Sequence, residues 1–439
     1  MFEPGRRTAP GAGARRRPGL GKPGRLLALV QPPALAGGAL AAAVALGRVV
    51  YAVLSRGPDG LFNDFYAYWG AAVLLDRGRD PYDLAALAQV QHAAGLYATT
   101  GSGYSYPILW AELLRPLGHL APSQAALVFS AASLVALAAA VAFLLGSIER
   151  LGWPTGVLGG IAAGLFPPVI GSLYFGQANL LVLLLLALAY RTILPEPLLA
   201  LAGAVKIYPI AGLLASLARR RLPWTLAGGA IFAALLLLPQ AAGSGRLSDR
   251  TGYFFSPDTY WSNESINGFV SRLSIPSTWT RPPLAGFPAE GAMLVLTACL
   301  LLGVLAVLAF SGGRPWTGCL ALTLWFGAVA APKNSLWNFT PLLLCIAYAW
   351  PLVRRRPGLL ALGAAGWLLI EAQVQLDTAR ETVYRAGPQL AWLSSVGLYG
   401  ALLIGGLTAY LVLWQARRRP SLVPVKEETA PAAAEAVSW

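Results

Sequence analysis

Ala289-Glu-Gly-Ala-Met-Leu-Val-Leu-Thr-Ala-Cys-Leu-Leu-Leu-Gly-Val-Leu-Ala-Val-Leu-Ala-Phe310 carries a single charge, Glu290, and no break in its apolar character. At 1.5 Å per residue, about twenty such residues cross the ~30 Å hydrocarbon core of a bilayer. The stretch reads as a transmembrane helix. Comparable Leu- and Ala-rich runs occupy residues 33–54, 122–147, 155–174, 224–239, 316–329, 335–353, 358–372 and 390–414. Charged residues make up only 12% of the 439 and mean hydropathy is +0.59, which excludes an ordinary soluble domain. A membrane β-barrel would alternate polar and apolar residues over strands of about ten. These runs do not alternate. The expected fold class is all-α, a polytopic integral membrane protein with roughly 10 spans and one re-entrant hairpin.

The net charge of +14 would suggest nucleic acid in a soluble protein. Here the arginines cluster beside apolar runs, at Arg15-Arg16-Arg17, Arg219-Arg220-Arg221, Arg354-Arg355-Arg356 and Arg417-Arg418-Arg419. That is the positive-inside pattern, so the expected partners are membrane lipids and not nucleic acid. It places both termini in the cytoplasm and the chain in the plasma or inner membrane. Residues 1–32 and 417–439 read as disordered cytoplasmic tails around a membrane domain at 33–416, with external loops at about 56–104, 241–288 and 373–389. Short helices at 66–75 and 83–96 are expected along the interface, and 106–120, broken by Pro107 and Pro116, dips in without crossing. Cys299, Cys319 and Cys345 lie within apolar runs and read as small buried hydrophobes, with no metal-ligand spacing.

One apolar stretch, 195–217, lies between Arg191 and Arg219, both expected inside. A single crossing cannot begin and end on one side. Two half-length limbs resolve the conflict if they turn near Lys206-Ile-Tyr-Pro209, where Pro209 breaks the helix and about ten residues reach roughly the midplane. Non-helical backbone at that depth must line a cavity, so Lys206 would face a site. The alternative is that residues 180–190 do not cross.

Asp64, within Leu61-Phe-Asn-Asp-Phe-Tyr-Ala-Tyr-Trp69, follows the first span. An acid beside a bilayer is costly and is kept where chemistry needs it. On the same expected face lie Tyr66, Asp80 and Tyr82, Tyr106, Gln177 and Asn179, Asn263, Asn267 and Arg272, and Lys333 and Asn338; Lys206 and Tyr208 approach from within the membrane. Such a set suits an enzyme acting on a lipid with a charged head and a polyhydroxyl group. A cation would hold a phosphate leaving group and a carboxylate would deprotonate an attacking hydroxyl.

The ordered motifs Asn63-Asp64-Phe-Tyr66, Asp80-Pro-Tyr82, Tyr106-Pro107, Phe175-Gly-Gln-Ala-Asn179, Lys206-Ile-Tyr-Pro209 and Trp261-Ser-Asn-Glu-Ser-Ile-Asn267 resemble glycosyltransferase family 87. The resemblance covers about residues 35–415. It implies a GT-C fold and inverting transfer of a hexose, typically mannose, from a polyprenyl-phosphate donor to a glycolipid or polysaccharide acceptor outside the cytoplasm, with no metal and no cofactor. It makes Asp64 the general base and Lys206 a donor-phosphate contact, with Arg272 and Lys333 as further cations. Tyr66, Asp80, Tyr82, Tyr106, Gln177, Asn179, Tyr208, Asn263, Asn267 and Asn338 would orient sugar or acceptor. Where the family often carries histidine after the tryptophan at 337, this chain has Asn338, which can hydrogen-bond but not titrate. His92 and His119 match no motif. Two other readings stay open: a transporter or flippase for a lipid-linked sugar, with polar residues on both faces, and a ligase or polymerase sharing the outward face.

Overall fold

The computed structural model describes residues 31–96, 103–149, 151–241, 256–378 and 388–418. The expected tails lie outside the described residues except where α1 and the last helix begin and end within them, as do residues 97–102, 242–255 and 379–387 of the expected external loops. Among the described residues the structure is helical, with no strand beyond an isolated bridge between Asn263 and Ser335.

The helices are α1 (Pro32–Arg56), α2 (Asn63–Asp76), α3 (Leu84–Ala93), α4 (Ile108–Gly118), α5 (Pro122–Leu145), α6 (Trp153–Leu165), α7 (Pro167–Tyr174), α8 (Asn179–Arg191) and α9 (Glu196–Val205). Then come α10 (Leu213–Ala218), α11 (Leu222–Ala241), α12 (Ile266–Ser274), α13 (Ala289–Ser311), α14 (Trp316–Ala330), α15 (Leu342–Val353), α16 (Pro357–Thr378) and α17 (Val396–Arg418). By length and composition seven helices among the described residues can cross a membrane, or eight counting α6 and α7 as one span bent by 53°. The bend falls at Phe166, where Pro167 and Pro168 start a new helix instead of continuing the old ladder. The tally of roughly ten is reached only with α8 and α14. These have 13 and 15 residues, fewer than the about 17–25 of a full span, and most of their side chains are buried against neighbouring helices.

Close helix contact follows from small residues. A Cβ on Gly160 of α6 would lie 2.3 Å from the Gly37 carbonyl of α1, and one on Gly156 would lie 2.4 Å from the Pro33 carbonyl. The four-residue spacing of Gly156 and Gly160 thus lets the two backbones touch, as in membrane helix pairs generally.

Two elements differ from expectation. α2 is not an interfacial helix: Phe65 and every residue from Ala67 to Leu75 are buried. Its run has no polar face, and a helix apolar all round belongs in protein interior. α3 is nearer the expected form, capped by Asp83, whose carboxylate accepts from the backbone N–H groups of Ala85 (3.0 Å) and Ala86 (3.1 Å). The span expected over 335–353 is also interrupted. A 3-10 turn at Leu336–Phe339 precedes α15.

The stretch between Arg191 and Arg219 turns back on itself. α9 stops at Val205, Lys206 is extended (φ −139°, ψ 128°), and a 3-10 turn at Tyr208–Gly212 leads into α10. Glu196 at the start and Arg221 just past the end form an ion pair at 3.4 Å. The two feet of the hairpin therefore meet, and Lys206 stands at its tip.

Candidate active site

The site begins with a chain reversal. Phe175 and Gly176 end α7, and the Phe175 carbonyl accepts from the backbone N–H groups of Asp64 (3.1 Å) and Phe65 (3.2 Å), while Phe62 N–H donates to the Tyr174 carbonyl (2.9 Å). These donors at the start of α2 have no partner within the helix, so the turn acts as their cap. Gly176 has φ +68°, and a Cβ there would lie 2.6 Å from that of Phe65. Only glycine permits this approach. Asp64, in the first turn of α2, gains from the helix dipole and is delivered beside Gln177.

Gln177 joins the two charged groups. Its Nε2 donates to Asp64 Oδ2, and its Oε1 accepts from Lys206 Nζ at 3.0 Å and from Asn179 Nδ2 at 2.7 Å. Lys206 Nζ also donates to Asn338 Oδ1 and lies 5.2 Å from the centroid of the Tyr106 ring. Asn179 Nδ2 contacts Ser172 Oγ at 3.0 Å and the Trp337 carbonyl at 2.9 Å. Tyr106 is held by an edge-on contact with buried Tyr68, ring centroids 4.7 Å apart, and its carbonyl accepts from Tyr82 Oη at 2.8 Å. Asp64, Gln177, Asn179, Lys206, Asn338 and Tyr106 thus form one cluster, with Tyr82 bracing it.

Electrostatics follow from enclosure. Burial raises the Asp64 pKa above the usual carboxylate value, opposed by the Gln177 hydrogen bond and by the Lys206 charge. A raised pKa makes the carboxylate a better proton acceptor near neutral pH than an exposed aspartate. Lys206 spends two donors on Gln177 and Asn338, and an ammonium has three.

Other expected site residues fall elsewhere. Arg272, expected as a phosphate ligand, is fully buried; it donates to the carbonyls of Tyr260 (2.9 Å) and Asn263 (2.8 Å) and to Ser395 Oγ (2.6 Å), and lies 3.9 Å from Glu264. It is a strut within the loop, its guanidinium turned onto the protein's own carbonyls. Lys333 pairs with Asp258 at 3.5 Å. Asn263 binds Asp258 (3.2 Å), the Pro332 carbonyl (3.3 Å) and Asn334 N–H (3.1 Å), and Asn267 binds the Ser256 carbonyl (2.9 Å) and Asp258 N–H (3.0 Å). Together they lace the second loop to the turn before Trp337. Asp80 sits in an exposed turn accepting from Tyr82 N–H at 2.8 Å. Tyr66 is half-buried among Phe62 and Phe65, and Tyr208 is buried just past the hairpin tip.

Sequence reasoning passes over Ser172 and Tyr68, and sees Glu264 among the polar residues of the second external loop without giving it a role. Ser172 Oγ donates to the Trp337 carbonyl at 3.1 Å, and Glu264 accepts from Leu398 N–H at 3.2 Å. Burial pushes the Glu264 carboxyl upward against the pull of Arg272. Nothing about a serine inside an apolar run marks it, whereas Glu264 lies within the motif Trp261-Ser-Asn-Glu-Ser-Ile-Asn267.

The model of glycosyltransferase family 87 matches residues 104–332, more than half of the chain. The chain belongs to glycosyltransferase family 87. It is a glycosyltransferase with a polytopic, all-α membrane fold. The matched span contains Tyr106, Gln177, Asn179 and Lys206, while Asp64 and Asn338 lie outside it and join it through Gln177 and Lys206. Neither the comparison with curated proteins nor that with solved structures gives a match.

Proposed function

We propose that the protein transfers a hexose, mannose by its family resemblance, from a polyprenyl-phosphate donor to an acceptor hydroxyl on the extracytoplasmic face, with inversion and without a metal. The observation that carries this reading is the Gln177 bridge, which holds a carboxylate and an ammonium on opposite ends of one amide. Glycosyl transfer from a phosphate needs those two groups on either side of the anomeric carbon.

In this mechanism Asp64 takes the proton of the acceptor hydroxyl as its oxygen forms a bond to the anomeric carbon. The bond from that carbon to the phosphate oxygen breaks, and polyprenyl phosphate leaves with the electron pair. The third N–H of Lys206 stabilises the charge that develops on the phosphate. The proton on Asp64 then passes to water. One carboxylate suffices for a single displacement, in contrast with the pair used by glycosidases. Tyr106 and Asn338 fix the ammonium, and Asn179 fixes the amide. The family match favours this bond-forming chemistry over transport.

The test is release of polyprenyl phosphate from polyprenyl-phosphate-mannose by purified protein, with a lipid extract of the native membrane as acceptor. Release that requires the extract and vanishes in Asp64→Asn supports the proposal. Wild-type turnover in Asp64→Asn removes Asp64 as the base, and movement of intact donor across the bilayer without release removes transfer altogether.

A further inference from the structure

One face of α16 borders two cavities. Leu360, Gly363, Ala364 and Trp367 line an apolar cavity of about 390 Å³, closed by α5, α6, α15 and α17. Glu371 and Val374 continue that face at intervals of four and three and line a polar cavity of about 530 Å³, closed by α1, α7 and the Trp337 turn. α6 borders the first cavity and α7 the second, so both lie along one seam. Phe166, at the α6–α7 junction, meets Trp367 between them, ring centroids 4.6 Å apart.

The two halves differ in chemistry. In the apolar half, Leu158 and Leu360 on the rim are 62% and 38% exposed, so the cavity opens on the outside of the bundle, where a membrane protein meets lipid chains. The polar half brings Arg48 and Arg56 together with Asp59, Glu371 and Asp377, beside the rings of Tyr174, Trp261 and Trp337. Arg48 and Glu371 belong to the spanning helices α1 and α16, and neither makes a hydrogen bond or ion pair among the described residues. Charged groups at such positions are costly and mark ligand sites.

We propose that this seam holds the acceptor, as a lipid with a hydroxyl-rich head in the polar half and its chain in the apolar half. The assignment rests on the transferase reading above. Three carboxylates beside two guanidiniums disfavour an anionic phosphate head, whereas carboxylates accept hydroxyl hydrogens and tryptophan faces suit the apolar side of a sugar ring. The donor phosphate already has Lys206. The Trp337 ring lines the polar half while its carbonyl is bound by Asn179 and its neighbour Asn338 binds Lys206, so a head in this cavity lies next to the reacting centre.

The probe is hexadecyl mannoside with a diazirine at the end of its chain, photolysed with the full-length protein in detergent and mapped by mass spectrometry. Adducts are expected on α6 and α16 around Leu158, Ala162 and Leu360. Glu371→Gln, which keeps the shape of the side chain, should reduce labelling about tenfold, the loss of one charged hydrogen bond. Ala162→Trp should fill the apolar half and abolish it, and excess polyprenyl phosphate should leave it unchanged. Labelling spread over the outer faces of α11 and α13 and indifferent to both variants would overturn the proposal. So would displacement by polyprenyl phosphate, which would assign the seam to the donor. Labelling requires no turnover, so it reports on the seam whether or not transfer from polyprenyl-phosphate-mannose occurs, and Asp64→Asn should label as wild type does.

Discussion

The indole of Trp337 occupies the space that a side chain on residue 171 would need: a Cβ on Gly171 would lie 1.9 Å from the ring. That contact sets the height of the Trp337 carbonyl, which Asn179 and Ser172 both address. Gly171→Ala should displace the indole and cost about 1–3 kcal/mol of stability, as overpacking does. Transferase activity should fall with it, because Asn338 moves away from Lys206. Retention of both wild-type thermal stability and activity would show that the contact does not position the site.

Gln177→Glu tests the electrostatics of the bridge. A second carboxylate beside Asp64 raises the Asp64 pKa further, since like charges resist joint ionisation. The acid limb of the rate profile should therefore move to higher pH, and Gln177→Leu, which removes the hydrogen bond that lowers the Asp64 pKa without adding a like charge, should move it in the same direction by less. Profiles of the two variants that coincide would argue against contact between residue 177 and the base.

In the wild-type protein the acid limb should lie above the value of about 4 of an unperturbed carboxylate. The sign follows from burial, which raises the folded-state pKa of Asp64. Between the ordinary and the raised value the folded state binds more protons, so this residue contributes a stability that falls as pH rises through that window. Asp64→Asn, which carries no charge to bury, should thus equal or exceed wild type in melting temperature at neutral pH while losing activity. A marked drop in melting temperature would contradict the burial argument.

The hairpin feet offer a stability test remote from the chemistry. Glu196 is fully buried and Arg221 partly exposed, so removing Arg221 leaves a buried carboxylate with weakened compensation. Arg221→Gln should cost about 1–3 kcal/mol after allowance for solvent screening. Glu196→Gln combined with it should recover much of the loss, read as melting temperature in detergent. Losses that simply add would mean the two side chains do not interact.

Arg272→Met separates strut from ligand. Loss of its bonds to Tyr260, Asn263 and Ser395 should lower melting temperature sharply and leave the donor KM of the folded fraction unchanged. A raised donor KM at unchanged stability would restore Arg272 to the phosphate site.

Much of the architecture is legible in composition alone, because twenty apolar residues in a row have few other uses. The hairpin is legible too, from arginines on both sides of one run and a proline at its middle. α2 departs from the interfacial helix expected of it because Phe65-Tyr-Ala-Tyr-Trp-Gly-Ala-Ala-Val-Leu-Leu75 offers no polar face to water. The place of Arg272 is not legible, because no spacing rule says whether a loop guanidinium turns outward or onto its own carbonyls. Ser172 and the Gly171–Trp337 contact depend on segments far apart in sequence, and only packing brings them together.

The hairpin has a consequence for biosynthesis. Lys206 stands at the tip of a segment whose feet are tied by Glu196 and Arg221. The hairpin that carries Lys206 to Gln177 is closed at its feet only by a residue translated after both limbs. Asn338, the other partner of Lys206, is translated later still. Asp64 is made first, so a product that ends before residue 206 holds the carboxylate without the lysine. The cluster of Asp64, Gln177, Lys206 and Asn338 is thus complete only once nearly four-fifths of the chain has been made.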